Sequence, residues 1–240
     1  MARTSGASSA PRVALVTGAN RGIGLEVCRQ LGQRGFTVIL SARDDAKARE
    51  AAERLCAQRL AIVPCQLDVT DLDSIERARQ RAEEEFGRLD ALVNNAAVLY
   101  DDWQRVLNAD VAQARDAFET NTLGPWNVTR AFLPLLRQSA HPRIVNVSSG
   151  AGSLASMSGR TPAYSLSKAA LNALTRMLAA ELKGDRILVN AVCPGWVATE
   201  VGGAGGRPIG RGAAGIVWAA TIDDDGPTGG FFRDGRAIPW

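Results

Sequence analysis

The sequence predicts a single α/β domain built on a doubly wound parallel sheet of about seven strands, with helices on both faces. Three observations lead to this prediction. Short apolar runs alternate with longer amphipathic segments along all 240 residues, and strands joined through covering helices give this alternation. A glycine-rich turn connects the first run to the first amphipathic segment, and no repeat or linker divides the chain. A chain of this length can bury a substantial core as one domain.

The individual elements follow from apolar runs and from apolar residues at helical spacing. Strands are predicted at 13–16, 36–40, 60–67, 89–93, 143–147 and 187–192. Helices are predicted at 22–34, 45–58, 72–86, about 110–138 and 162–183. Asp71 is expected to cap the third helix. The glycine-dense stretch 199–215 predicts a mobile loop or a short lid over a site.

The ends and the composition of the chain exclude several classes of protein. Residues 1–11 are small and polar, which predicts a disordered tail before a domain at 12–240 and gives no secretory signal. No apolar run reaches the roughly 18 residues that a membrane span needs. The net charge of +3 is spread along the chain, which favours a solvated surface over a nucleic-acid face. Four scattered cysteines and a single histidine predict no metal site and a cytoplasmic protein with reduced thiols.

A turn with the spacing GxxxGxG lies between the first strand and the first helix. Glycines allow a tight turn that a pyrophosphate can approach closely, and the helix N-terminus offers free N–H groups to the anion. A plain turn without a ligand is the alternative. If the turn binds a dinucleotide, the expected contacts are Gly18, Asn20, Arg21, Gly22, Ile23 and Gly24.

The end of the second strand indicates which nicotinamide cofactor the protein uses. NAD-selective sites usually place a carboxylate there, close to the ribose 2′-hydroxyl. Here the position holds Ala42, followed by Arg43. Two guanidiniums, those of Arg43 and Arg21, can bind a 2′-phosphate. We therefore expect NADP(H) rather than NAD(H), with a plain surface role for Arg43 as the alternative.

Tyr164 and Lys168 are spaced i, i+4 in a predicted helix, so their side chains share one face. A free phenol has a pKa near 10, and a neighbouring ammonium lowers it. The pair therefore has the chemistry of a general acid and base tuned toward neutral pH. The pattern is short, and an ordinary surface pair is the alternative interpretation.

Together, the TGxxxGIG turn and the YxxxK pair resemble the short-chain dehydrogenase/reductase family over nearly the whole chain. The segment 226–235 resembles the family's seventh strand, and together with 190–197 it looks most like the carbonyl-reductase branch. The resemblance implies a Rossmann-like fold and NADPH-dependent reduction of a ketone or aldehyde to an alcohol, or the reverse. A catalytically silent NADP(H)-binding sensor or scaffold of the same fold is the alternative.

The resemblance also assigns residues to the site. It places the catalytic hydroxyl on Ser149, with Ser148 as the second candidate. It makes Asn121 a helix-interrupting asparagine that holds a water linking Lys168 to solvent, with a plain helix-surface amide as the alternative. Ala97 stands where the family has glycine. The further cofactor contacts that it implies are Asp68, Val69, Asn95, Pro194, Gly195, Val197 and Thr199.

The spacing between Ser149 and Tyr164 is relevant to assembly. It is 15 residues, whereas some carbonyl reductases carry a long insertion there that blocks subunit pairing. A homodimer or homotetramer is therefore permitted. The expected substrate is a small hydrophobic carbonyl compound or alcohol, and the resemblance goes no further.

Overall fold

The computed structural model describes residues 11–99, 101, 103–198 and 205–240. The predicted tail at 1–11 lies outside the described residues except for Pro11, and so does Thr199. Two predictions therefore have no structural counterpart: the tail, and the contact assigned to Thr199.

In the described ranges, eight strands form one sheet in the order β3-β2-β1-β4-β5-β6-β7-β8. The first seven are parallel, and the last pairs antiparallel with β7. The predicted parallel, doubly wound architecture is confirmed, with a two-residue eighth strand added at the edge. The strands are β1 Val13–Val16, β2 Thr37–Ala42, β3 Ile62–Gln66, β4 Ala91–Asn94, β5 Arg143–Val147, β6 Leu188–Val192, β7 Phe231–Arg233 and β8 Arg236–Ala237.

Seven α-helices cover the sheet in the described part of the chain. Those of one face pack over a core that includes Val27, Leu55 and Ile216, and those of the other over a core that includes Phe132 and Leu171. Because both faces are covered, β1, β4, β5 and β6 are buried along their whole length, as parallel strands require. The helices are α1 Gly22–Gln33, α2 Asp45–Cys56, α3 Leu72–Phe86, α4 Val111–Phe118, α5 Gly124–Leu136, α6 Pro162–Glu181 and α7 Ile209–Thr221.

Local capping sets two of the helix starts where the sequence places them. The Asp71 carboxylate accepts from the amides of Asp73 and Ser74 at 2.9 and 3.2 Å. Asp44 caps α2 by accepting from Lys47 N at 3.1 Å. These side chains satisfy amides that the first helical turn leaves without a partner.

The helical segment expected at 110–138 runs from Val111 to Leu136 and contains a π-helical turn, Glu119–Leu123, at the asparagine that the resemblance makes helix-interrupting. This turn places Asn121 where its side chain bonds Val98 rather than solvent. The bounds predicted for the glycine-rich loop are wrong. The loop expected at 199–215 is too long, because residues from Ile209 belong to α7. Ala213, Ile216 and Val217 lie on the buried face of that helix, and this burial outweighs the helix-breaking tendency of its glycines.

No helix in the described ranges is long and apolar enough to span a bilayer. The same ranges hold no cluster of three or more His, Cys, Asp or Glu side chains that could bind a metal ion.

Candidate active site

A cleft of about 950 Å³ opens at the carboxyl ends of the central strands. The chain order of the sheet reverses between β1 and β4, and such a switch point is where doubly wound sheets form their ligand crevices. Of the residues predicted for the site, the cleft is lined by Gly18, Asn20, Arg21, Gly22, Ile23, Gly24, Arg43, Asp68, Val69, Asn95, Ser149, Tyr164, Lys168, Pro194, Gly195 and Val197.

The glycine turn is fixed to the segment that follows β4. Thr17 Oγ1 accepts from the amides of Asn95 and Ala96, both at 3.0 Å. Asn95 Nδ2 donates in return to the carbonyls of Thr17 at 2.8 Å and Gly18 at 3.1 Å. The sequence indicated Asn95 but not Thr17, whose hydroxyl lies at the junction and is buried. These bonds hold the turn open toward the cleft.

Arg21 and Arg43 line one end of this cleft with exposed side chains. β2 ends at Ala42, so the position before Arg43 carries no carboxylate. The neighbouring Asp44 is committed to the cap of α2. This end of the cleft therefore presents two cations, and the donor set fits a phosphate ester better than a neutral hydroxyl.

Asp68 and Val69 lie beside that end, after β3. Asp68 Oδ1 accepts from the amide and the hydroxyl of Thr70, at 2.9 and 2.7 Å. These bonds keep the carboxylate in the cleft wall, where the sequence places it.

Lys168 is a buried amine at the other end of the cleft. It is 2% exposed, and its Nζ donates to the carbonyl of Val147, the last residue of β5, at 2.8 Å. Nζ lies 5.7 Å from the centroid of the Tyr164 ring. Burial lowers the pKa of Lys168 to about 7, because desolvation penalises the charged form.

Tyr164 lies half-buried in the cleft wall on α6. Burial raises the pKa of its phenol to about 12, and a hydrogen bond with Ser149 acts in the opposite direction. The expected lowering of this pKa by Lys168 is therefore wrong for the protein alone. An amine with a pKa near 7 carries little charge above neutral pH, so desolvation of the phenolate outweighs its attraction.

The two serine candidates have different surroundings. Ser148 is 2% exposed and donates to Asn172 Oδ1 at 2.6 Å. Ser149 is the serine that lowers the pKa of Tyr164, and its Oγ accepts from Ala151 N at 3.2 Å. The hydroxyl beside the phenol is thus that of Ser149, the first candidate. Asn172, which fixes the other serine, carried no recognisable signal in the sequence.

Asn121 does not line the cleft. It is fully buried, and its Nδ2 donates to Val98 O at 2.9 Å and to Ser167 Oγ at 3.0 Å. Its Oδ1 accepts from Val98 N at 2.8 Å. Val98 lines the cleft, so Asn121 acts on the site by holding that backbone in place.

The segment after β6 forms the last wall. Arg207 N donates to Trp196 O at 2.8 Å, and Ala198 N donates to Arg207 O at 3.0 Å. Arg207 is also paired with Asp234. These contacts place Pro194, Gly195 and Val197 in the cleft, as predicted.

The chain belongs to the short-chain dehydrogenase family, whose model, described as short chain dehydrogenase, matches residues 12–206. Ala97, at the family's glycine position, does not adopt a positive φ, so alanine fits there. Membership in this family makes the protein a short-chain oxidoreductase.

Several relatives are similar over nearly their whole length. Bovine carbonyl reductase (NADPH) 1 is 34% identical over 97% of this chain and all of that protein. Salutaridine reductase of Papaver bracteatum is 33% identical over 92% of this chain and 94% of that protein. The crystal structure of NADPH-bound carbonyl reductase from chicken fatty liver superposes with a TM-score of 0.87, at 30% identity, over 96% of this chain and 99% of that one.

We predict that Gly18→Ala destabilises the protein more than Gly22→Ala. Both glycines have a left-handed φ, 61° and 59°, so each alanine costs about 1–2 kcal/mol. A Cβ at Gly18 would also lie 2.8 Å from Ala96 Cα, whereas one at Gly22 meets nothing within 4 Å. Overpacking adds roughly 1–3 kcal/mol. Urea unfolding of both variants measures the difference, and equal losses would show that the turn is not tightly packed on residue 96.

Proposed function

We propose that the protein reduces a ketone or aldehyde to an alcohol with NADPH, or runs the reverse reaction, with Tyr164 as general acid and base. One observation carries the proposal. Ser149, Tyr164 and buried Lys168 line one end of a cleft, and its other end is lined by two arginines and the glycine turn 18–24, a type of turn that binds phosphate groups. The relatives named carbonyl reductases, one with NADPH bound, support the same reaction class.

The cofactor half of the proposal depends on charge. Arg21 and Arg43 would bind the 2′-phosphate, and the amides of the glycine turn with the start of α1 would hold the pyrophosphate. When bound, NADPH supplies the hydride. Pro194, Gly195 and Val197 offer backbone groups at the opposite end of the cleft for the nicotinamide carboxamide.

The hydroxyls of Ser149 and Tyr164 are placed to donate hydrogen bonds to one substrate carbonyl oxygen. A phenol with a pKa raised to about 12 stays protonated at neutral pH, so it holds the proton that the forming alkoxide needs. In reduction the proton moves from Tyr164 Oη to that oxygen. Donors fixed before the reaction stabilise the developing charge without reorganisation.

Lys168 can return the proton. With a pKa near 7, it gains and loses a proton readily at working pH, as a proton relay requires. When protonated it keeps two donors beyond its bond to Val147, which suits the ribose hydroxyls. The water assigned to Asn121 stays a prediction. Both side-chain N–H groups of Asn121 already donate, to Val98 and Ser167. Through its side chain, Asn121 therefore positions the backbone of Val98.

Arg43→Ala is predicted to weaken the preference for NADPH. Removing one charge-assisted contact to a phosphate costs about 1.5–3 kcal/mol, so the ratio of kcat/KM for NADPH to that for NADH should fall at least tenfold. The value for NADH should stay within about threefold. Steady-state kinetics with both cofactors measures the ratio. Arg130→Ala, an exposed arginine of α5 outside the cleft, is the matched control. An unchanged ratio in Arg43→Ala would reject the assigned 2′-phosphate site.

Tyr164→Phe is predicted to lower kcat for carbonyl reduction by about 10²–10⁴-fold, the contribution typical of a general acid. NADPH affinity should change only a few-fold, because the phenol hydroxyl is the single group removed. NADPH oxidation and NADPH fluorescence titration measure the two effects. Retained turnover would remove Tyr164 from the mechanism. A wild-type protein that binds NADPH but reduces no member of an aldehyde and ketone panel would instead be a silent sensor or scaffold.

A further inference from the structure

Arg233, the last residue of β7, has no role in the mechanism above. Its exposed side chain lines the cleft. Nη2 donates to Cys193 Sγ at 3.2 Å, and a Cβ built on Gly150 would lie 2.8 Å from the same nitrogen. Gly150 follows Ser149 directly, so this guanidinium lies beside the serine of the proposed reaction centre.

Among the described residues, Arg233 makes no salt bridge, although the adjacent Asp234 is close enough for the charge of Arg233 to help lower its pKa. The adjacent Asp234 is paired with Arg207 through two hydrogen bonds, at 3.0 and 2.5 Å. The sulfur of Cys193 is a weak acceptor. The guanidinium has five N–H donors, so most of them remain available to a ligand in the cleft.

The cleft separates its charges along the sheet. Asp68 is the one carboxylate among the described lining residues. It follows β3, at the edge of the sheet, whereas Arg233 lies on β7, beyond β6. Lys168, at the same end, is a buried amine whose pKa of about 7 leaves it only partly charged at neutral pH. An anion beside Ser149 would therefore meet positive charge and no carboxylate.

We propose that the substrate carries a carboxylate as well as the reacting carbonyl, and that Arg233 binds the carboxylate and orients the carbonyl toward Ser149 and Tyr164. Arginine binds carboxylates through two parallel N–H···O bonds, which fix orientation as well as affinity. Trp196 also lines the cleft and is 68% exposed, a flat apolar surface for the carbon skeleton. The proposal rests on the proposed function. The carboxylate is unchanged by the reaction, which adds a hydride to carbon and a proton to oxygen.

The test compares 4-carboxybenzaldehyde with its neutral methyl ester, methyl 4-formylbenzoate, as substrates with NADPH. The wild-type enzyme should show a higher kcat/KM for the acid. Arg233→Gln should lower kcat/KM for the acid about ten- to a hundredfold, mostly by raising KM. The kcat/KM for the ester should stay within about threefold of the wild-type value. Arg233→Lys should recover part of the loss. Arg236→Gln, an exposed arginine of β8 that does not line the cleft, should change neither substrate.

Equal losses on acid and ester in Arg233→Gln would overturn the proposal, since they indicate a structural role through Cys193. An acid-to-ester ratio of kcat/KM that is the same in Arg233→Gln as in the wild type would also overturn it. Calorimetric binding of the product, 4-(hydroxymethyl)benzoate, gives a readout that does not require turnover. Its affinity should fall at least tenfold in Arg233→Gln, and equal affinities would contradict the proposal. Failure of the wild type to turn over either aldehyde would count against the proposed function alone.

Discussion

The hydrogen bond from Lys168 Nζ to the carbonyl of Val147 joins the two elements that carry the reacting groups. β5 ends at Val147 and continues into Ser149, while α6 carries Tyr164 one turn before the lysine. The bond from Ser148 to Asn172, one turn further along α6, makes a second connection between the same elements. With these contacts buried, the hydroxyls of Ser149 and Tyr164 are left facing the cleft. Burying an amine lowers its pKa, so the same packing gives the lysine its chemistry.

The sheet separates the two tasks of the cleft. Its chain order reverses between β1 and β4, and the bonds from Thr17 and Asn95 close that junction. The glycine turn 18–24 and Arg43 lie to one side of the junction. Ser149, Tyr164 and Arg233 lie to the other. The apolar cores lie on the two faces of the sheet, whereas the cleft lies at the carboxyl ends of its strands. The site can therefore carry exposed polar groups while the packed helices supply the stability.

The sequence allowed most of the fold to be predicted, because buried parallel strands are continuous apolar runs and Asp71 is a strong helix cap. It also located the cleft residues whose motifs are local. It did not predict the helical state of the residues from Ile209 onward, which depends on distant packing. The interruption at Asn121 followed only from the family resemblance. The pKa of Tyr164 was predicted in the wrong direction, because spacing gives a neighbour but not the degree of burial. Arg233 was missed for a related reason, since no local pattern connects it to Ser149.

The pKa of Lys168 is the most direct test of this account. A ¹⁵N or ¹³C NMR titration of the protein without cofactor, assigned by comparison with Lys168→Met, would follow the amine itself. Burial of the amine predicts a midpoint near pH 7, so that the lysine is charged below that pH and neutral above it. A midpoint near 10.4, the value of an exposed lysine, would show that the amine is solvated and would contradict the proposed relay.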